Sequence, residues 1–400
     1  MKKDYLQSLF LRIYCWCHFF FRLGYRSKSL TSFSEQNTRK IFRVIEVSIK
    51  LSLVLYLINM IYLGSTGRLN LSLASLGENY SSFHEVYSEK SEQSILTFEL
   101  AILVLSAIPK FLCFTLGFYY FDRLAKRYKI YFISFIILII LTQTVAFGNQ
   151  KSIGDIAIYG GVVLLLKSVN FSRQRRRKLI RYAVFGFVFV FGLFSFAQYS
   201  RLNSRNITSY DLNNHMVSYA KFDFEHPVFK IFGDNFGLGI ATFTTGYLSN
   251  GYYGLSKSLE SDWEWSYGVG NSVALSAIMK GVSGLDPYEK TYLNKLETEK
   301  GIPGKKHWHT AFPWIASDIT WIGTLVFFSL MSFLYGKSYK EVLVYKNPVS
   351  LMMFALLTVM FIFVPANNQI FHGFDYLGIS IFVFVVWKLK HFKYNIIEKC

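Results

Sequence analysis

Long apolar runs alternate with short polar connectors along this chain, and the runs are of membrane length. A helix crossing the hydrocarbon core needs about twenty apolar residues, fewer where flanking cations snorkel. By that measure eight main spans are predicted, at about 44–63, 95–120, 130–147, 156–170, 182–198, 313–335, 348–365 and 376–387. Pro109-Lys110 interrupts the second span, where it either kinks the helix or lines a cavity. One polar interval, from Tyr199 to Trp321, is far longer than the rest. Within it, 236–255 and 267–279 are apolar but rich in Gly, Ser and Thr, a pattern for pieces that dip into the membrane or pack over the bundle. Counting them as crossings raises the total to nine or ten. The expected fold class is an all-α polytopic integral membrane protein with one large loop of short helices or membrane-dipping segments.

Charge sets the expected orientation. Arg22, Arg26, Lys28, Arg39, Lys40 and Arg43 precede the first span. The connectors at 121–129, 172–181 and 336–347 and the end of the chain are also basic, whereas the connectors between them are acidic or neutral. Lys and Arg mark the cytoplasmic side. Both termini are therefore expected in the cytoplasm, and the long loop on the outer face of a bacterial inner membrane. This gives a basic N-terminal region at 1–43, spans one to five at 44–199, the outer loop at 200–312, and spans six to eight with the C-terminus at 313–400. The apolar run Leu9–Leu23 is broken by Arg12, His18 and Arg22 and lacks a small-residue cleavage site. It reads as an amphipathic helix on the membrane surface, with a short span as the other option.

Composition excludes several classes. The chain is 18% aromatic and 17% charged, an inversion of soluble-protein usage that suits lipid contact. Its net charge of +18 sits in clusters at span ends, which argues against nucleic-acid binding. None of the four cysteines lies in the long loop, and Cys15-Trp-Cys17 has the wrong spacing for a zinc or redox pair. There is no phosphate-binding glycine loop, dinucleotide fingerprint or HExxH.

Outside a cell, activated substrates are mostly lipid-linked, and expelling a lipid diphosphate calls for cations or oriented N–H donors. Arg201 and Arg205, four apart beyond span five, would share a helical face and either hold phosphate or anchor in headgroups. Lys305-Lys-His-Trp-His309 offers two histidines at i, i+2. They suit a general base or phosphate donor, or an interfacial belt, and no third metal ligand stands at a recognisable spacing. Asp318, in the first turns of span six, needs pairing or a wet cavity. Asp262-Trp-Glu-Trp265 has the make-up of a sugar-binding lip, or of an interfacial belt of tryptophans.

Two motifs, Tyr247-Leu-Ser-Asn-Gly-Tyr-Tyr-Gly-Leu255 and His307-Trp-His-Thr-Ala-Phe-Pro-Trp-Ile-Ala-Ser-Asp318, with the loop before the last three spans, resemble the bacterial oligosaccharide repeat unit polymerases of the Wzy family. The first outer loop has Glu85 and Glu89 but no Asp-Asp pair of the kind in large polyprenyl-sugar glycosyltransferases. The resemblance implies transfer of a growing glycan from undecaprenyl diphosphate to a lipid-linked repeat unit, for O-antigen or capsule, without metal or cofactor. It implies a flippase and a chain-length regulator as partners. By position it points to Arg201, Arg205, His307 and His309. In the expected mechanism His309 or Asp318 (or His307) takes the acceptor proton, and Arg201, Arg205 and Lys306 receive the diphosphate. Asn250, Tyr252, Trp263 and Trp265 complete the expected substrate contacts. An O-antigen ligase or other lipid-linked glycan transferase, and a non-enzymatic flippase or transporter, are the alternatives.

Overall fold

The computed structural model describes residues 15–27, 35–72, 75–80, 98–207, 222–304 and 308–397. All regular structure among them is helical. Among the described residues, five helices are long and apolar enough to cross a membrane, namely Arg39–Ser65, Leu100–Arg123, Lys126–Ala146, Arg173–Ser204 and Ala311–Tyr345. This is an α-helical membrane protein. The chain forms two compact units, 46–249 and 1–45 with 250–400. The long polar interval is thus shared between them, dividing after Ser249.

The first unit opens with the part of α1 (Glu35–Ser65) from Glu46 onward, followed by α2 (Phe98–Leu112), which passes through Pro109 and widens into a π turn at Cys113–Gly117. Next come α3 (Lys126–Ile139), ending in a second π turn at Ile140–Ala146, and α4 (Lys151–Ser168). Their shared core is aromatic. The Phe114 ring lies 5.8 Å from both Phe135 and Tyr159, and Tyr56 closes on Phe135 at 5.6 Å. Offset and edge-on rings at these separations add to the area they bury. The helix α5 (Arg173–Ser204) then carries the chain to the polar interval, whose first part folds back on it as α6 (Pro227–Phe243). Gly239 makes that contact possible, since a Cβ there would run into the Ser195 carbonyl. Phe243 sits 5.4 Å from both Phe191 and Phe194.

The second unit holds α7 (Asn250–Ser258), α8 (Val273–Ser283), α9 (Tyr292–Lys300), α10 (Ala311–Tyr345), α11 (Pro348–Phe363) and α12 (Phe374–Ile397). The centre is α11, which buries every side chain from Leu351 to Leu357, as expected of a helix that is apolar all round. Phe354 stacks on Tyr335 of α10 at 4.7 Å. Residues 15–26 are helical and run parallel to the second half of α10, with Phe21 near Tyr335 and Tyr25 near Tyr339. A Cβ on Gly24 would strike the Phe333 carbonyl, and one on Gly336 would strike the Phe21 carbonyl. Paired small residues of this kind let membrane helices approach backbone to backbone. The amphipathic pattern alone does not announce that contact.

At 35 residues, α10 would exceed the bilayer core if straight. It is broken at Ile319 (φ −125°, ψ 15°) and Thr320 (φ 66°, ψ 172°) into a short piece ending at Asp318 and a long one beginning at Trp321. Thr320 occupies a region of backbone space that is essentially reserved for glycine.

Candidate functional site

The break in α10 strands carbonyls that an unbroken helix would pair with the N–H groups four residues on. Two of them find partners in the segment just before α8. The Trp263 indole N–H donates to Ala316 O at 3.0 Å and Ser317 O at 3.1 Å, and Ser266 N–H reaches Ser317 O at 3.4 Å. On the far side of the break, Thr320 Oγ1 accepts from Gly323 N at 3.3 Å and caps the long piece.

Asp318 ties the same two segments together. Its Oδ1 accepts from Ser266 Oγ at 2.5 Å and Gly270 N at 3.0 Å. Its Oδ2 accepts from Asn271 N at 2.8 Å and Asn271 Nδ2 at 2.6 Å. Asn368, at the turn before α12, donates to Asn271 O at 3.0 Å and extends the network. The sequence pattern raised pairing with a nearby Lys or Arg, but Asp318 is buried against neutral donors instead. Four donors fill the acceptor sites of one carboxylate. Its geometry organises the segment 266–271, which turns sharply at Tyr267 (φ 61°) and Gly268 (φ 74°), with Val269 N bonded to Ser266 O.

That turn presents aromatic surface. Trp263 and Trp265 are each about half exposed, and the Trp265 ring is 5.7 Å from Tyr267. Lys290 stands 4.5 Å over the Tyr267 ring, and the Tyr267 hydroxyl beside it raises the Lys290 pKa. Lys295 spans the segment from beneath, donating to Asp262 O at 2.8 Å and pairing with Glu264 at 2.8 Å. Its ammonium holds the Glu264 carboxyl below its ordinary range.

The two sequence motifs pack directly on each other. Gly254 of α7 faces the His309 imidazole so closely that a Cβ would collide with Nδ1, and a Cβ on Gly251 would collide with Pro365 O and Thr310 N. His309 is buried, and its Nε2 lies 3.0 Å from the Pro303 carbonyl. A carbonyl only accepts, so Nε2 carries the hydrogen and Nδ1 is the basic nitrogen, enclosed against α7. Asn250 and Tyr252 lie half-buried on α7, and burial raises the Tyr252 pKa. Lys306 and His307 lie outside the described residues.

Arg201 and Arg205 belong to the other unit and do not share a surface. Arg201 is buried on α5, stacked 3.5 Å over the Tyr80 ring and donating to Gly148 O at 2.9 Å and to Gln150 Oε1. It fastens the turn at 148–150 and the helical turn at 76–80 to the end of α5. Arg205 lies one residue beyond α5 and is exposed.

Ser266, Asn271, Lys295 and Asn368 are the members that the sequence reading missed. The signal for part of the set was present, because Ser272 stands immediately before the apolar start of α8 and caps it through Leu275 N. Among the described residues, no group of three His, Cys, Asp or Glu is placed to hold a metal ion. No family model, curated protein or solved structure matches the chain.

Proposed function

We propose that this protein polymerises lipid-linked oligosaccharide repeat units at the outer face of a bacterial inner membrane. The supporting observation is the aromatic shelf of half-exposed Trp263 and Trp265 with partly buried Tyr267, fixed to a broken membrane helix through Asp318. Aromatic faces attract the C–H dipoles of pyranose rings, and Glu264 and Asp262 can accept from sugar hydroxyls. A shelf held by an indole N–H and a buried carboxylate keeps its geometry when a flexible glycan arrives, which lowers the entropy lost on binding.

In the proposed step the bond from the anomeric carbon to the diphosphate oxygen breaks as the acceptor hydroxyl oxygen forms the new glycosidic bond. The electron pair leaves with the diphosphate, and the hydroxyl proton passes to a base. Asp318, filled by four donors, and His309, with Nδ1 enclosed, serve as positioning residues. Of the catalytic candidates expected from the sequence, this leaves His307, outside the described residues, as the base in the proposed step. A transporter would be expected to turn the stranded backbone groups of a broken helix toward its cargo. Here Ala316 O and Ser317 O are bound by Trp263 and Ser266, which favours the enzyme.

The test is glycan length in an expressing strain. Trp265→Ala should shift polymer toward single repeats, with Trp265→Phe retaining most of the length. Wild-type length and yield in Trp265→Ala would sink the reading. A null strain that keeps single-repeat lipopolysaccharide fits a polymerase, and complete loss of glycan on the lipid would mark a ligase.

A further inference from the structure

The second unit contains a cavity of about 610 Å³ between helix 15–26 and the long piece of α10. It is lined by Trp16, Phe20 and Leu23 on one side and by Ile322, Val326 and Phe333 on the other. The volume is that of a ligand pocket, roughly 300–1,000 Å³. The lining offers almost nothing polar. Ser329 Oγ, which faces it, is already bonded to Leu325 O at 2.7 Å. An ionic or hydroxylated ligand would lose its water here without compensation, so the chemistry selects hydrocarbon.

The cavity's length and position narrow the choice further. From Ile322 to Phe333 is about 16 Å at 1.5 Å per residue, roughly half of a 30 Å hydrocarbon core. Ile322 and Val326 are exposed, so the cavity opens sideways and a chain can enter from the bilayer without threading. Its upper end starts two residues past Thr320, at the break whose other side carries Asp318 and the aromatic shelf. A lipid with its chain here would present its head to that shelf. The reciprocal contact of Gly24 and Gly336 closes the lower end by bringing the two helices together.

We propose that this cavity holds the first few isoprene units of the lipid-linked substrate's polyprenyl chain, the rest of which runs on into the bilayer, with the aromatic rings of Trp16, Phe20, Phe328 and Phe333 packing against its methyl branches. The assignment rests on the lipid-linked substrate proposed above. The test uses full-length protein in phospholipid nanodiscs, photolabelled with a diazirine-bearing undecaprenyl diphosphate that carries no sugar. A diazirine-bearing phosphatidylethanolamine at equal mole fraction serves as the comparison. Prenyl labelling should concentrate on residues 16–23 and 322–333, saturate, and be competed by unlabelled undecaprenyl diphosphate. Equal labelling of those residues by both probes would make the cavity ordinary lipid-facing surface and overturn the site, as would prenyl labelling elsewhere.

Val326→Trp fills the cavity from an exposed position. It should cut prenyl labelling roughly tenfold, the effect of leaving about two methylene groups unburied, with the melting temperature unchanged. Unaltered labelling in a folded Val326→Trp protein overturns the site while leaving the polymerase intact. Saturable labelling in a protein whose null strain still makes full-length polymer keeps the site and overturns the polymerase.

Discussion

Asp318 shows how one side chain can decide a local structure. Replacing it with alanine strands the Gly270 and Asn271 N–H groups and the Ser266 hydroxyl in a buried place. Leaving buried donors of this kind unsatisfied costs about 1–3 kcal/mol. Thermal unfolding of purified Asp318→Ala should show a loss of that size, and Asp318→Asn a smaller one. Glycines give a second, sharper contrast. Exposed helical Gly→Ala usually stabilises by about 1 kcal/mol, and Gly281 in α8 has open space around it, so Gly281→Ala should raise the melting temperature. Gly254→Ala must push the His309 ring aside and should destabilise by about 1–3 kcal/mol. A melting shift of the same sign in both variants would remove the close packing inferred for His309. Asp318 and the Trp263 cluster could be picked out from the sequence because charge and indole are conspicuous beside an apolar run. The donors to Asp318 could not be, since Ser266, Gly270 and Asn271 are ordinary turn residues until folding brings them together.

Among the elements, α10 is the one whose sequence hides its shape. Its apolar run reads as an uninterrupted span, and the backbone departs from helix at Ile319 and Thr320, neither of which carries a Gly or Pro signal for a break. The break is supported from outside, by donors roughly fifty residues earlier in the chain, in a loop where period and propensity say little. Trp263→Phe keeps the ring and removes the N–H that serves Ala316 and Ser317. It should cost about 1–3 kcal/mol, seen as a lower melting temperature and as faster hydrogen exchange at Ile315–Asp318. The α9 segment behind the shelf makes a pH prediction. Lys295 depresses the Glu264 pKa below its ordinary 4.5, so the pair contributes fully above that value and fades as pH falls through the depressed one. Saccharide binding at the shelf should therefore not lose this contribution between about pH 5 and 8, and should lose it only as pH falls below the ordinary carboxylate range. The helical character followed from apolar run length, because hydrocarbon leaves the backbone no other way to satisfy its hydrogen bonds, and five of the described helices reach the length and apolarity of a crossing where eight spans were expected.

For the whole molecule, the charge pattern predicts that Lys290 faces away from the cytoplasm and Lys178 and Lys346 toward it. Alkaline phosphatase fused after Lys290 should be active, and fusions after Lys178 or Lys346 silent; the reverse result removes the access to lipid-linked sugars that the proposed reaction needs. The contact of Gly24 with Gly336 carries a consequence for biogenesis. Helix 15–26 leaves the ribosome early, and its mate is translated roughly three hundred residues later, an interval of about 15–60 s at 5–20 residues per second. Until then the newborn helix has no glycine-matched neighbour, and a nascent chain arrested before Gly336 offers it none. Such arrested chains are natural prey for membrane proteases, so ribosome stalling before the Gly336 codon should empty the membrane of this protein rather than leave a truncated remnant behind.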